Sequence, residues 1–226
     1  HFISKGKFEY YKDQEFRVYL WLCIFFSMLF FINIVSANKY QINLLTLRHS
    51  IFTAVSILTT TGFSTENFND WPEMSKTLLF FLFFIGGSAG STTGGMKIIR
   101  SILVFRYLVY QVRKLLHPSG VFNITIGGKT IEDDVVSSTL GFYLFYLGIF
   151  VFTSMVLSST GLDITTALSA SASAIGNIGP GLGSIGPAYS WAHLTDFAKW
   201  LVSFCMLLGR LEIFTVVVLF SRSFWR

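Results

Sequence analysis

Long runs of uncharged residues constrain this chain more than any other feature of its sequence. Residues 18–38, 77–96 and 135–162 contain no Asp, Glu, Lys or Arg, and these runs are 21, 20 and 28 residues long. A helix of about 20 predominantly apolar residues is long enough to cross a lipid bilayer. A fourth run, residues 200–221, is interrupted by only two charged residues near its centre. The pattern predicts an all-α, multi-pass membrane protein with four crossings, of which the last is unusual.

The composition excludes the soluble classes of protein. The chain is 52% hydrophobic and 13% charged, whereas an average soluble domain has about 25% charged residues. Its two cysteines lie inside apolar runs, and its four histidines are scattered, so neither forms a metal-ligand spacing. We therefore expect no metal centre and no covalently bound cofactor.

The distribution of Lys and Arg predicts the orientation in the membrane. Four crossings place both termini and the connection of residues 97–134 on one side. That side has 12 of the 17 Lys and Arg residues, and the other side has four. Because cytoplasmic loops carry the excess of Lys and Arg, both termini are expected in the cytoplasm. The basic residues 97–114 favour contact with anionic lipid head groups, and no nucleic-acid partner is expected.

A unit of span, short helix, polar loop and span occurs twice. Apolar stretches at residues 47–58 and 163–174 are too short to cross and are typical of re-entrant helices. Each runs into a loop of Gly with Thr or Asn. The repeat predicts a first unit at 1–116, with spans at about 18–38 and 77–113 and a short helix at about 47–58. A cytoplasmic connection follows at 117–134. The second unit is 135–226, with spans at about 135–160 and 195–221 and a short helix at about 163–174.

The loops after the two short helices are candidate cation sites. Irregular backbone at membrane depth is tolerated only where it is buried in protein or lines a wet cavity. The carboxyl end of a helix favours a cation by about 0.3–1 kcal/mol, and loop carbonyl groups can replace the hydration shell of an ion. Gly62, Gly176 and Gly179 would supply the backbone freedom this requires. The alternative is a pair of ordinary glycine-rich outer turns.

The second uncharged run changes character at Gly86. From there to Gly95 the sequence is GGSAGSTTGG, with five glycines and four hydroxyl residues. Gly86 lies roughly 15 Å along the helix from the outer edge, which is near the bilayer midplane. The helix is expected to break there and form a mobile loop within the membrane. The alternative is a closely packed helix that uses small residues.

Arg210 is a fixed positive charge at the depth of that loop. Lys76 precedes Gly86 by ten residues, as Lys199 precedes Gly209, and this alignment matches Arg210 with Gly87. An uncompensated arginine at mid-bilayer costs at least about 2.5 kcal/mol, so it should face the protein interior. Glu212 is only two residues away and lies on another helix face. We expect a carbonyl group of the loop to be the partner of Arg210, which would act as a barrier or gate component; a helix-pairing salt bridge is the alternative.

Residues 121–131 predict a small hairpin in the cytoplasmic connection. Two β-rich runs flank Gly127 and Gly128, and such a pair favours a tight two-residue turn. On the cytoplasmic face, this hairpin is a candidate docking element.

The motifs resemble those of the Trk/Ktr/HKT superfamily of potassium transporters, in its bacterial TrkH/TrkG branch. They are TTTGFST at 59–65, GGSAGSTTGGMKIIR at 86–100, HPSGVFNITIGGKTI at 117–131, SAIGNIGPGLG at 173–183 and LLGRLEIFTVVVLF at 207–220. The family has four repeats of span, pore helix and span around one pore, each with a filter strand, and this chain resembles the third and fourth. The resemblance therefore implies potassium uptake across the bacterial inner membrane, without enzymatic activity, and a missing N-terminal half.

The resemblance also implies site residues and partners. The implied filter positions are Thr60, Thr61, Gly62, Phe63, Ile175, Gly176 and Asn177. Among these, potassium would be held at Thr61, Gly62, Gly176 and Asn177. The implied gating residues are Gly86, Gly87, Ser88, Gly90, Ser91, Thr92, Thr93, Gly94, Gly95 and Arg210. A homodimer and a cytoplasmic nucleotide-binding regulatory subunit of the TrkA type are implied as partners.

Two other readings stay open at this point. Residues 86–90 match G-x-S-x-G, which in hydrolases presents a nucleophilic serine, here Ser88. An intramembrane serine hydrolase would need a histidine base at that depth, and no predicted span contains one. The other reading is an inactive, truncated membrane fragment.

Overall fold

A computed structural model of the chain describes residues 13–37, 40–118, 120, 122–219 and 222–225. The fold of these residues is all-α apart from one small hairpin. The helices are α1 (Gln14–Ser36), α2 (Leu44–Leu58), α3 (Glu73–Leu82), α4 (Ile98–Leu116), α5 (Asp133–Ser159), α6 (Ile164–Gly176), α7 (Asp196–Arg210) and α8 (Ile213–Leu219). Five residues of the predicted orientation signal and one of the predicted hairpin lie outside the described residues: Lys5, Lys7, Lys12, Lys39, Arg226 and Val121.

The predicted hairpin is confirmed, over a shorter stretch. Strands β1 (Thr125–Ile126) and β2 (Lys129–Thr130) pair antiparallel, with Thr125 opposite Thr130. Gly127 and Gly128 have φ values of +57° and +80°. Positive φ at both central residues is the geometry of the tight turn that the Gly-Gly pair predicts.

Two helices, α1 and α5, are long and apolar enough to cross a membrane by themselves. Only 22% and 28% of their most apolar windows are buried in the described part of the chain. Apolar helices exposed to this extent suit contact with lipid. Helices α7 and α8 qualify only together, across a bend of 109°. The four predicted crossings thus correspond to two helices, or to three if the bent pair is one span.

The break in the second uncharged run is confirmed, but it starts before Gly86. Helix α3 ends at Leu82, after ten residues, and α4 begins at Ile98. After α3 the chain continues as a tighter turn with hydrogen bonds between residues three apart. The Ile85 N–H group donates to the Leu82 carbonyl group at 3.0 Å. Neither α3 nor α4 alone forms the predicted span at 77–113.

The predicted fourth span is not a single helix. Helix α7 ends at Arg210, and Glu212 has a φ of +60° in the left-handed region, which a right-handed helix excludes. The Glu212 carboxylate accepts a hydrogen bond from Arg100 of α4 at 2.8 Å. This ion pair joins two elements far apart in sequence at the bend, and the charge pattern of 200–221 alone could not reveal it.

The two halves of the chain share their buried core. In the first half, side chains of α1, α2 and α3 pack around Phe30 and Trp71, and Ala172, Ile178 and Leu182 of the second half join this cluster. The second half has its own cluster between α5, α6 and α7. Rings of Phe84 and Phe150, 5.0 Å apart, lie between the two. The short helix α6 and the residues after it are thus enclosed by protein on both sides.

Both short helices start at a side-chain cap. The Asn43 Oδ1 atom accepts from the Thr46 N–H group at 2.8 Å, and the Asp163 Oδ2 atom accepts from the Thr166 N–H group at 3.0 Å. Such caps satisfy backbone donors that have no partner in the first helical turn. These caps mark where α2 and α6 begin.

The cap of α6 should make stability depend on pH. Burial acts to raise the pKa of Asp163, but the hydrogen bonds from Thr166 and neighbouring N–H groups lower it by more. The net result is a pKa below the ordinary value of an aspartate. The carboxylate then stabilises the fold above the unfolded-state pKa, and this contribution is lost as the pH falls through the folded pKa. At neutral pH, Asp163→Ala should lower the free energy of unfolding by about 1 kcal/mol.

Thermal unfolding of the purified protein in detergent, at neutral and acid pH, measures this loss. The matched control is Asn43→Ala, whose cap does not titrate and whose effect should stay constant. A loss in Asp163→Ala that is equally large at acid pH would contradict the prediction.

Candidate functional site

The residues that follow α2 and α6 have the same backbone pattern. We call residues 60–63 the first segment and residues 177–180 the second segment. Thr60 and Asn177, which begin them, are left-handed with φ values of +50° and +53°. Two residues later, Gly62 and Gly179 have φ values of +76° and +113°. Equal spacing of left-handed residues indicates that the two segments are equivalent.

Hydrogen bonds from one serine hold each segment in the same way. The Ser56 hydroxyl donates to the Phe63 carbonyl at 2.6 Å, and the Ser173 hydroxyl donates to the Pro180 carbonyl at 2.8 Å. The carbonyl groups of the same serines accept from the Thr61 N–H at 2.9 Å and the Ile178 N–H at 3.0 Å. Each short helix therefore ties its segment back onto its own last turn.

This correspondence changes the position of the second segment. Of the residues named from the sequence, Ile175 and Gly176 lie in the last turn of α6, and only Asn177 lies in the segment. Sequence reasoning did not assign Ile178 or Pro180 to the segment, and it named Gly179 only for its backbone freedom. The signal that could have found them is the seven-residue spacing from Ser56 to Phe63, repeated from Ser173 to Pro180.

The carbonyl groups of both segments include free acceptors. Those of Thr60, Thr61 and Gly62 accept no hydrogen bond from a described residue, and the same holds for Asn177 and Ile178. The Gly179 carbonyl accepts from the Trp191 indole at 3.1 Å. Free carbonyl oxygens beside the carboxyl ends of two helices form a partly negative environment that favours a cation.

The two segments touch at Gly62. A Cβ atom on Gly62 would overlap the Ile178 carbonyl oxygen and lie 2.9 Å from the Pro180 ring. Gly62 also has a positive φ, which side chains disfavour. Only glycine combines this backbone conformation with this approach of the second segment.

Substitution at Gly62 should therefore cost more than its backbone conformation alone. Gly90 is the matched control, since its φ is +80° and nothing lies within 4 Å of an added Cβ atom. Gly90→Ala should destabilise by about 1–2 kcal/mol from backbone strain. Gly62→Ala should lose a further amount of about 1–3 kcal/mol from overpacking. Thermal unfolding of both variants in one detergent tests this, and equal losses would count against the close approach.

The Gly/Ser/Thr loop, residues 86–95, folds back on itself between α3 and α4. The Gly86 N–H donates to the Met96 carbonyl at 2.5 Å, and the Gly87 N–H donates to the Thr93 hydroxyl at 3.0 Å. The Ser91 hydroxyl donates to the Ser88 carbonyl at 2.5 Å. Side-chain hydroxyl groups thus replace the helical hydrogen bonds that the glycines interrupt.

The loop packs directly beneath the second segment. A Cβ atom on Gly94 would overlap the Gly176 carbonyl oxygen, and one on Gly209 of α7 would overlap the Ile175 carbonyl oxygen. The Asn177 side-chain amide donates to the Met206 carbonyl of α7 at 3.0 Å. The last turn of α6 is therefore held between the loop and α7, and Ile175 and Gly176 make this contact through their backbone.

Three charged side chains hold the loop from different helices. Arg210 Nη1 donates to the Thr92 carbonyl, which confirms the expected kind of partner. Lys97 Nζ donates to the Ser91 carbonyl at 2.7 Å. The Glu15 carboxylate of α1 accepts from the Ala89 N–H at 2.5 Å. Sequence reasoning missed Lys97 and Glu15, because their partners are backbone groups that leave no pattern in the sequence.

Below the loop lies a cavity of about 200 Å³ with charged walls. Its lining includes Lys97, Arg100, Arg210 and Glu212. Arg100 forms its ion pair with Glu212 and lies 4.2 Å from the centre of the Phe142 ring. The side chains of this cavity carry a net positive charge, which opposes the entry of a cation from below.

The described residues give the hydrolase reading no histidine base. The His49 ring is hydrogen-bonded to Thr65 at 2.7 Å, and the His193 ring to Ser184 at 3.1 Å; neither contacts Ser88. Among the same residues, no group of His, Cys, Asp and Glu could hold a metal ion.

Comparisons with known proteins agree with this architecture. The family model described as "TrkH: Cation transport protein" matches residues 2–226. The Trk system potassium uptake protein TrkH of Vibrio parahaemolyticus is 39% identical over 217 residues, which are 96% of this chain and 44% of that protein. TrkH of Halomonas elongata is 41% identical over 220 residues, with the same two shares. TrkG of Escherichia coli is 38% identical over 178 residues, which are 79% of this chain and 36% of that protein.

A solved structure is similar over the whole chain. The crystal structure of the potassium transporter TrkH from Vibrio parahaemolyticus matches with a TM-score of 0.91 and 39% identity, and the match covers 100% of this chain and 48% of that one. The chain spans less than half the length of the relatives it matches. The match over residues 2–226 shows that this chain belongs to the TrkH family of cation transport proteins.

Proposed function

We propose that this chain is the C-terminal half of the pore subunit of a potassium uptake system. The observation that carries the proposal is the pair of equivalent segments with free carbonyl groups at the ends of α2 and α6. Two segments cannot enclose an ion alone, so a preceding half supplies two more. The relatives are named potassium uptake proteins, which supports potassium as the transported ion.

The filter consists of the two segments, with their carbonyl groups replacing the hydration shell of potassium. Thr60, Thr61, Gly62 and Phe63 form the first part, as the sequence predicts. Asn177 begins the second part, and Gly179 takes the place that the sequence analysis gives to Gly176. Ile175 and Gly176 support the filter from α6.

The Gly/Ser/Thr loop is the gate below the filter. It lies against the last turn of α6, and Arg210, Lys97 and Glu15 hold it there. The bond from Arg210 to Thr92 keeps the loop in the ion path and places a positive charge next to it. Opening requires that bond to break.

The same proposal includes the setting of the protein. It lies in the bacterial inner membrane with both ends of this chain in the cytoplasm, as the excess of Lys and Arg indicates. It works as a homodimer with a TrkA-type nucleotide-binding subunit, for which the hairpin of β1 and β2 offers a docking element.

Replacement of Gly179 tests the filter. Nothing lies within 4 Å of a Cβ atom added at Gly179, so the fold tolerates Gly179→Ala apart from backbone strain. Gly161, in the turn after α5, has a φ of +95° and equally open space, and it is the matched control. Rubidium uptake into liposomes should fall at least about tenfold in Gly179→Ala and stay unchanged in Gly161→Ala, since about 1.4 kcal/mol at a carbonyl site changes occupancy tenfold.

The assay uses the chain joined to its upstream half, and this chain alone should give no uptake. Equal uptake by the Gly179→Ala and Gly161→Ala proteins would contradict the filter assignment. Uptake by the short chain alone would contradict its role as a half-pore, unless crosslinking shows two copies around one pore.

Replacement of Arg210 tests the gate. Arg210→Ala removes a charge-assisted hydrogen bond of about 1.5–3 kcal/mol, so unregulated rubidium flux should rise roughly tenfold or more. Lys199→Ala on the same helix removes an exposed charge and should leave flux unchanged. Wild-type flux in Arg210→Ala, with an unchanged thermal unfolding midpoint, would refute the gate assignment.

A further inference from the structure

A groove runs between the start of α1, the length of α4 and the residues that lead into the hairpin. Its cavity measures about 830 Å³. The wall is largely apolar, with Leu22, Ile102 and Phe105 among its residues. A second cavity of about 460 Å³, lined by Arg17 and Trp21, adjoins it through the shared residues Gln14, Val18 and Arg106.

Three arginines line this groove and its extension. Arg106 and Arg113 lie seven residues apart on α4, which places them on one face two turns apart. Arg17 of α1 lines the adjoining cavity together with Arg106. None of the three forms an ion pair within the described residues, and only Arg106 makes a side-chain hydrogen bond, to Thr125 at 3.4 Å. Among the described residues, the groove therefore presents positive charge without a counter-ion.

The groove lies where α1 reaches the edge of its apolar span. Arg17 is in the first turn of α1, and Trp21, one turn further, is 60% exposed. Exposed tryptophan marks the head-group level of a membrane. Phe105, on the apolar wall, is 68% exposed within the described residues. Charge at one level and apolar surface beside it match a molecule with an anionic head and a hydrocarbon tail.

We propose that this groove binds an anionic phospholipid. The phosphate group lies among Arg17, Arg106 and Arg113, and an acyl chain lies along Leu22, Ile102 and Phe105. Arginine suits the phosphate because its planar guanidinium group donates two parallel hydrogen bonds. Basic pockets between membrane helices are a known setting for anionic head groups.

The bound lipid would also contact both ends of the Gly/Ser/Thr loop. Ile85, just before the loop, and Ile98, just after it, belong to the wall of the same groove. An acyl chain against these two residues fills the space beside the loop from the lipid side. The site is separate from the filter and from Arg210, so its test does not depend on ion flux.

Native mass spectrometry of the full-length protein in detergent tests the site. The probes are dioleoyl phosphatidylglycerol, dioleoyl phosphatidylcholine with the same chains, and soluble glycerol phosphate. We expect retention of phosphatidylglycerol over both other probes. The double variant Arg106→Gln/Arg113→Gln should bind phosphatidylglycerol at least about tenfold more weakly, because charge-assisted hydrogen bonds to the phosphate are lost. Arg106→Lys/Arg113→Lys should retain part of the binding.

The matched control is Arg48→Gln, which removes an exposed arginine of α2 outside the groove. Its lipid binding should equal that of the unmodified protein. Three results would each overturn the proposal: equal retention of phosphatidylcholine and phosphatidylglycerol, an equal loss in Arg48→Gln, or binding of glycerol phosphate as tight as that of the lipid. Should the double variant unfold, the single variants Arg106→Gln and Arg113→Gln give the same comparison.

Discussion

Lipid offers no hydrogen-bond partner to a free N–H or C=O group, so non-helical backbone at membrane depth must find its partners within the protein. In this chain many of the partners are side-chain hydroxyl groups. Ser173 donates to the Pro180 carbonyl and accepts from the Gly179 N–H, and Thr93 accepts from the Gly87 N–H. Carbonyl groups of the two segments are among the backbone groups that have no hydrogen-bond partner in the described residues. These carbonyl groups are therefore available to a cation.

Close backbone contacts follow from the same constraint. Gly94 and Gly209 approach carbonyl groups in the last turn of α6 more closely than any side chain allows. The loop, α7 and the base of the second segment therefore form one packed unit. Glycine is used here for proximity, since neither Gly94 nor Gly209 has a positive φ.

Patterns along the chain predicted most of the fold. The uncharged runs indicated α1 and α5, the short apolar stretches indicated α2 and α6, and the GGSAGSTTGG sequence indicated the break after α3. The bend between α7 and α8 was not predicted, because the left-handed conformation of Glu212 and its ion pair with Arg100, 112 residues away, leave no pattern in the sequence.

The candidate site was predicted less completely than the fold. The residues named for the first segment agree with the backbone pattern after α2, but those named for the second lie three residues too early, because Gly176 and Gly179 both follow an isoleucine. Only the helix end could decide between them, and it depends on the left-handed conformation of Asn177. The role of Glu15 was not predicted, because its partner is a backbone N–H group. Every residue except proline has such a group, so the sequence does not indicate which one it is.

Helix α7 makes two contacts one turn apart. Its Met206 carbonyl accepts from Asn177 at the start of the second segment, and its Arg210 donates to Thr92 of the loop. A rigid helix cannot rotate or slide at one of these positions without displacing the other. The second segment and the Gly/Ser/Thr loop are therefore mechanically coupled through one turn of α7. A movement of α7 displaces both at the same time.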